Sequence, residues 1–306
     1  MSTVRAVIAL LMFPGLLYAL PAGLFMLGLE RKWKARFQGR IGPPVVQAFY
    51  DVIKLLSKSP VSRFASDVPF MIGLPLFAIV TTIGALALLP VFSSESGFVG
   101  DIIVLVALLE MPPLAYILAG YASRSIYGEV GSTRDAVVTI VSNVPFLAAL
   151  IAMASASGSM HSAQIATSTP WMVRVPALIA ILLCLPMKLR ITPFSLANAE
   201  QELLAGPLTE FDGPRLALWE MAHALEWSAL IGFVVTLAIP YRSASWIVNA
   251  AVLVVLSFVL VLLLTLLASS TARLKVSQAT GLMWKFGSTV AAIALIVAFF
   301  VRGGGL

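Results

Sequence analysis

What this sequence lacks most is charge. Only 11% of its 306 residues are Asp, Glu, Lys or Arg, where a soluble domain carries roughly 25%. A chain so short of charge does not cover a water-facing surface, and lipid is the solvent that permits the deficit. Cysteine is nearly absent as well. Cys184 stands alone, which excludes a disulfide framework, and an internal iron–sulfur cluster or thiolate zinc site needs several cysteines together. Two histidines, His161 and His223, argue against a histidine-rich metal centre. Redox chemistry that concerns this chain is therefore expected on metals held elsewhere, with no cofactor in the chain itself. The net charge of +6 does not point to nucleic acid, because the basic residues sit where membrane topology wants them.

What is there is apolar sequence in long runs: 60% of residues are hydrophobic and the mean hydropathy is +0.99. A helix crosses the bilayer core with about 20 apolar residues. Such runs occur at about Val4–Leu29, Val68–Val91, Asp101–Ala122, Ala136–Ala156, Met172–Leu189, Leu216–Ile239, Ile247–Ala268 and Leu282–Val301. The expected fold is all-α, a polytopic membrane protein of about eight transmembrane helices forming a single integral membrane domain over 1–306. The first run is too long for a signal peptide and has no small-residue cleavage site before Glu30, so it reads as a retained helix. Lysine and arginine orient the chain. With the N-terminus outside, sixteen basic residues face one side and only Arg5, Arg174, Arg242 and Arg302 the other. Both termini are expected outside a bacterial or archaeal cytoplasmic (inner) membrane, with the long loops in the cytoplasm.

Two of those loops differ in sign. Residues 30–67 are basic. Within them Gln47–Lys58 reads as an amphipathic helix, with Val46, Phe49, Val52, Ile53 and Leu56 on one face and Asp51, Lys54 and Lys58 elsewhere, fit to lie in the membrane interface. Residues 190–215 are acidic, with Glu200, Glu202, Glu210 and Asp212. A basic and an acidic loop facing one compartment suggest a docking surface for a soluble partner; plain solvated loops explain the charges equally well.

Inside the spans, ionisable groups are few. Glu110 precedes Pro112-Pro113, and Glu220, His223 and Glu226 recur every three residues on one broad helix face. A charge at mid-membrane costs about 2.5–3.5 kcal/mol on the insertion scale. These groups should therefore face a polar cavity or one another, where clustered carboxylates raise each other's pKa, as a proton relay requires. The bland alternatives are a wet Glu220 near the helix end and a His223 that serves helix packing. Asp101 is expected at the outer interface without a role.

Three stretches together carry a resemblance. The first is Glu30-Arg31-Lys32, then Arg36, Gln38, Arg40 and Gly42-Pro43, then Asp51, Lys54 and Lys58. The second is Gly131-Ser132-Thr133-Arg134-Asp135. The third is Pro193-Phe194 with Glu200-Gln201-Glu202-Leu203, then Gly206 and Thr209-Glu210-Phe211. In order and over nearly the whole chain they resemble the subunit 1 family of respiratory complex I, with Glu226-Trp227 where the family has Glu-Tyr. The wording of the third stretch is more similar to the membrane subunit of the group 4 NiFe hydrogenases, formate hydrogenlyase among them. The resemblance implies a subunit of an oxidoreductase complex with no complete active site of its own, one that anchors a soluble redox arm and contributes to proton or sodium translocation. It implies iron–sulfur and hydrogenase-like soluble partners, antiporter-like membrane partners, and iron–sulfur clusters, possible nickel included, in those partners. Arg36, Gln38, Arg40, Gly42, Pro43, Asp51, Lys54, Arg134, Glu200, Glu202 and Glu210 match the cavity and the redox-arm interface. Glu110, Glu129, Asp135, Glu220, His223 and Glu226 are the candidate ion path.

The sequence departs from the pattern at Ser195, Asn198 and Asn143, where the family has acids; Asn143 replaces a membrane-buried Glu. Glu110, Glu129 and Glu220 are the carboxylates available to substitute. The rival readings are a quinone-site subunit, a stand-alone secondary transporter, for which the inverted repeats are missing, and an anchor without coupling.

Overall fold

The computed structural model describes residues 16–59, 68–89, 98–196, 206–239 and 246–304, and every regular element among them is helical. The helices are α1 (Leu16–Phe37), α2 (Gln47–Leu56), α3 (Val68–Leu88), α4 (Asp101–Ala122), α5 (Ile126–Ser157), α6 (Ser162–Ser168) and α7 (Trp171–Lys188). A 3-10 turn at Gly206–Leu208 precedes α8 (Gly213–Ala238) and α9 (Trp246–Ser270). Then α10 (Val276–Leu282) runs through a π-helical turn (Met283–Gly287) into α11 (Ser288–Gly304). Seven helices in the described residues are long and apolar enough to cross a membrane. The predicted first span lies partly outside the described residues.

The centre of the bundle is α8. It packs against α1, α3, α2, α9 and α7, and from Ala224 to Leu237 every residue is buried. It is also the least hydropathic of the seven spans. The two facts agree: a helix enclosed by protein does not have to dissolve in lipid, and it is where polar groups find partners. The most hydropathic span, α9, leaves Val248, Val252, Val255, Val259, Leu262 and Leu266 exposed at alternating steps of three and four, an outward apolar stripe. Small residues set the closest approach. A β-carbon on Gly23 of α1 would lie 1.9 Å from the Ala224 carbonyl oxygen of α8, and Ser228 donates a hydrogen bond to the Ala19 carbonyl at 2.7 Å.

Several predicted boundaries move. Helix α1 runs past Leu29 to Phe37. Helix α5 begins at Ile126, ten residues before the predicted span, so Gly131–Asp135 is helical rather than a loop. It is helical because Gly131 and Ser132 are buried against Gly206-Pro207: a β-carbon on Gly131 would stand 2.7 Å from Pro207 Cδ. Two stretches that carried the resemblance thus pack on each other. The amphipathic helix stops at Leu56. Of its apolar face only Val52 is buried, together with Ala48, while Val46, Ile53 and Leu56 remain exposed.

Candidate functional site

Two ionic clusters lie among α4, α5, α7 and α8. The first centres on Arg190, two residues past α7. Helix α7 closes with the Arg190 amide on the Met187 carbonyl (3.1 Å) and the Ile191 amide on the Pro186 carbonyl (2.9 Å), which makes Arg190 the left-handed residue of a Schellman motif. Its φ is 54°, a conformation that disfavours any residue with a β-carbon by roughly 1–2 kcal/mol. Gly39 (φ 71°) ends α1 by the same pattern, with the residue type that fits it. The arginine stays because of what its side chain meets. Nη1 donates to Glu226 Oε2 of α8 at 2.9 Å, Nε donates to Asp135 Oδ2 of α5 at 3.3 Å, and the guanidinium lies 4.3 Å from the centre of the Tyr116 ring of α4. Burial by itself lowers the Arg190 pKa, but the Glu226 and Asp135 carboxylates more than reverse this and hold it above its ordinary value. Arg190 is thus a permanent charge tying three helices together.

His223 completes the cluster. Trp227 Nε1 lies 3.2 Å from His223 Nε2, and His223 Nδ1 lies 3.3 Å from Glu226 Oε2. An indole N–H only donates, so Nε2 is the acceptor and the proton sits on Nδ1, aimed at Glu226. With a neutral imidazole, the cluster holds two carboxylates against one guanidinium. Glu226 Oε1 is buried and has no hydrogen-bond partner among the described residues, and the same is true of Trp219 Nε1. Both side chains line a cavity of about 70 Å³, together with Pro112, Tyr116, Arg190, His223 and Glu220. That space suits a few water molecules bridging the free donor and acceptor. Near it, two turns before the end of α1, Glu30 is mostly buried. Burial raises its carboxyl above the ordinary range, opposed by Lys34 and Arg31.

The second cluster lies deeper. Asn143 is eight residues further along α5 than Asp135, or about 12 Å at 1.5 Å per residue. Lys188, in the last turn of α7, donates to Glu110 of α4 and to Asn143 Oδ1, and Asn143 Nδ2 donates to Glu110 Oε2 at 2.8 Å. The ammonium also lies 4.3 Å from the centre of the Phe146 ring. Lys188 is buried, so a lone ammonium there would be costly; the three groups satisfy each other.

Of the predicted ion-path residues, Asp135, His223 and Glu226 meet in the first cluster and Glu110 lies in the second. Glu220 lines the water-sized cavity and also a second, open cleft. Glu129 is not brought to either cluster: it is exposed in the first turn of α5, where a carboxylate suits the helix dipole. Glu220, His223 and Glu226 share one polar cavity, one of the two arrangements expected of them, and Glu110, Asp135 and Glu226 each also bond a cation, which was not expected. In the sequence Lys188 and Arg190 read only as topology markers. The signal that could have found them is stoichiometric: buried acids need counter-charges, and these two cations flank the end of an apolar span. Asp101 is also corrected. It is fully buried and holds the start of α6, accepting from the Ser162 amide at 2.6 Å and its hydroxyl at 2.9 Å, with His161 Nδ1 at 3.2 Å.

Among the predicted interface residues, Arg36, Gln38, Arg40 and Pro43 are exposed, and Arg40 bonds Gln38. Gly42 packs closely, its hypothetical β-carbon 2.9 Å from Ala35 Cβ. Asp51 joins α2 to α1 through Arg31 at 3.0 Å, with Gln47 on its other oxygen at 3.0 Å. Lys54 is exposed, and Arg134 and Glu210 are partly buried. Glu200, Glu202 and Asn198 lie outside the described residues. Among the described residues, no three His, Cys, Asp or Glu side chains form a metal-holding group.

A family profile described as NADH dehydrogenase matches residues 8–299. The chain is 30% identical over 251 residues to Hydrogenase-4 component C of Escherichia coli, with 79% of each chain covered. It is 27% identical to Formate hydrogenlyase subunit 4 of the same organism, over 89% of this chain and 93% of that one. To NADH-quinone oxidoreductase subunit 8 of Thermus thermophilus it is 32% identical, over 73% and 67%. Among solved structures, a chain of the membrane-bound sulfane sulfur reductase, an archaeal respiratory membrane complex, superposes with a TM-score of 0.86 at 26% identity, covering 96% of this chain and 98% of that one. The profile match over nearly the full length, the relatives and the seven spans together make this chain a multi-spanning membrane member of the NADH dehydrogenase family.

Proposed function

We propose that this chain is the membrane subunit that docks the soluble redox arm of a hydrogenase-type respiratory complex and couples electron arrival to ion movement. The observation that carries the reading is the stacked pair of clusters, Asp135–Arg190–Glu226–His223 above Glu110–Lys188–Asn143, at the end of the bundle where the resembling loops lie. In this reading the exposed Arg36–Arg40 turn faces the cytoplasm and meets iron–sulfur partners, and antiporter-like subunits flank the spans. A unit charge several ångströms from a buried carboxylate is worth about 4 kcal/mol at an effective dielectric constant of 20, enough to move its proton equilibrium by units. An electron arriving at the partner's cluster repels the surplus carboxylate of the first cluster. A proton entering through the small cavity is accepted at the open Oε1 of Glu226 and shared with His223. Clusters and any nickel belong to the partners. The small cavity supports water-sized occupants.

The test is gentle purification by a tag on this chain, followed by partner identification and nickel and iron analysis. Iron–sulfur subunits with nickel are expected. Iron–sulfur subunits without nickel redirect the assignment to a nickel-free or quinone-reducing relative. A lone polypeptide without metal overturns it.

A further inference from the structure

Between α1, α2 and α8 lies an open cleft of about 290 Å³ lined by Arg31, Asp51, Lys54, Leu55, Lys58 and Glu220. Five of these six side chains are charged. The charges are also unequally committed. Arg31 is already held by Asp51 at 3.0 Å, whose other oxygen takes Gln47. Lys54, in the last turn of α2, and Lys58, two residues past its end, have no ion-pair partner among the described residues. Glu220 is an acceptor opposite them. Helix α2 also exposes Tyr50, Ile53 and Leu56, at 61%, 63% and 48%. Exposed aliphatics beside lysines and a tyrosine mark a helix lying at headgroup depth.

We propose that this cleft binds the headgroup of a membrane phospholipid, with Lys54 and Lys58 on the phosphodiester and Glu220 accepting from a hydrogen-bond donor beyond the phosphate. The chemistry specifies the lipid class. Ethanolamine and glycerol headgroups carry N–H or O–H donors; choline carries a quaternary ammonium without one. The acyl chains then run along the exposed apolar side of α2. Because Glu220 also lines the inner cavity, the bound headgroup covers the outer side of the residue that separates the two spaces. The proposal rests on the membrane fold and the cleft, not on the redox assignment.

The test uses the full chain in the complex it is isolated with, in detergent, offered equal amounts of phosphatidylethanolamine, phosphatidylglycerol and phosphatidylcholine of one acyl composition. Retained lipid is counted by native mass spectrometry. Ethanolamine or glycerol lipid is expected in preference to choline lipid by about tenfold, the worth of one charge-assisted hydrogen bond. K54Q/K58Q lowers retention of all three lipids, E220L removes the acceptor and with it the preference, and K275Q/K285Q, which removes the same charge as K54Q/K58Q from another exposed segment, keeps both. Equal retention of all three lipids overturns the proposal, as does unchanged retention in K54Q/K58Q. Displacement of the lipid by millimolar inorganic phosphate makes this a soluble-phosphate site and also overturns it. A partner subunit, rather than lipid, protecting Lys54 and Lys58 from acylation does the same.

Discussion

Asn143 and Glu110 sit side by side, the amide Nδ2 of one 2.8 Å from the carboxylate Oε2 of the other, with Lys188 bound to both. Asn143 stands where the resembling family has a buried glutamate. The Glu110 carboxylate of α4 thus stands beside the place on α5 where the resemblance expects one. If the position of the charge on either helix is equivalent, the exchange Glu110→Asn with Asn143→Glu should keep assembly and activity near the starting level. Glu110→Asn alone strands a buried ammonium, at about 3–5 kcal/mol. The yield of folded protein and its unfolding midpoint in detergent measure the cycle, and a double variant as damaged as the single one refutes the equivalence.

Arg190 separates charge from backbone strain. Arg190→Ala loses both ion pairs and retains a β-carbon in the left-handed region, whereas Arg190→Gly loses the same pairs but relieves the strain. Both should be destabilised by several kcal/mol, with the glycine variant better by about 1 kcal/mol. Equal unfolding midpoints would show that the left-handed geometry is not held against a gradient.

Trp227 fixes the tautomer of His223. In nitrogen NMR of histidine-labelled protein there are only two imidazoles to assign. His223 should be neutral with its proton on Nδ1. Trp227→Phe removes a hydrogen bond worth about 1 kcal/mol and should redistribute the tautomers roughly fivefold. A native His223 protonated on Nε2 alone contradicts the donor assignment and, with it, the path from His223 to Glu226.

Gly28 supports the docking turn. A β-carbon there would lie 1.9 Å from the Val45 carbonyl oxygen, a backbone atom. Gly28→Ala should push the 42–46 segment off α1 and speed tryptic cleavage at Arg36 and Arg40 several-fold. Gly39→Ala, with nothing within 4 Å but a φ of +71°, strains the turn without displacing the segment and should have the smaller effect. Indistinguishable cleavage rates would remove Gly28 from the support of the turn.

The fold was legible where hydropathy alone decides it. The apolar run Asp101–Ala122 is helix α4 to the residue, and the period read over Gln47–Lys58 located α2, which stops two residues sooner, at Leu56. Hydropathy failed at the start of α5, because Arg134 and Asp135 interrupt the apolar run while burial against Gly206-Pro207 and pairing with Arg190 keep the helix going. In the site, the three-residue spacing of His223 and Glu226 announced their contact, since it acts within one helix. Lys188 and Arg190 were not legible, since their partners come from α4, α5 and α8, and no local pattern joins residues 36 to 78 positions apart.

Lys188 and Arg190 are separated by one residue, and their α-carbons lie at most about 7 Å apart. The two cations are therefore one mechanical part, the tip of α7. A displacement that unwinds this tip withdraws both positive charges at once and leaves Glu110, Asp135 and Glu226 without counter-ions in one stroke. Three carboxylates are then left, two at the first level and one at the second, and restoring the charge that the tip carried away takes two cations, one at each level of the bundle.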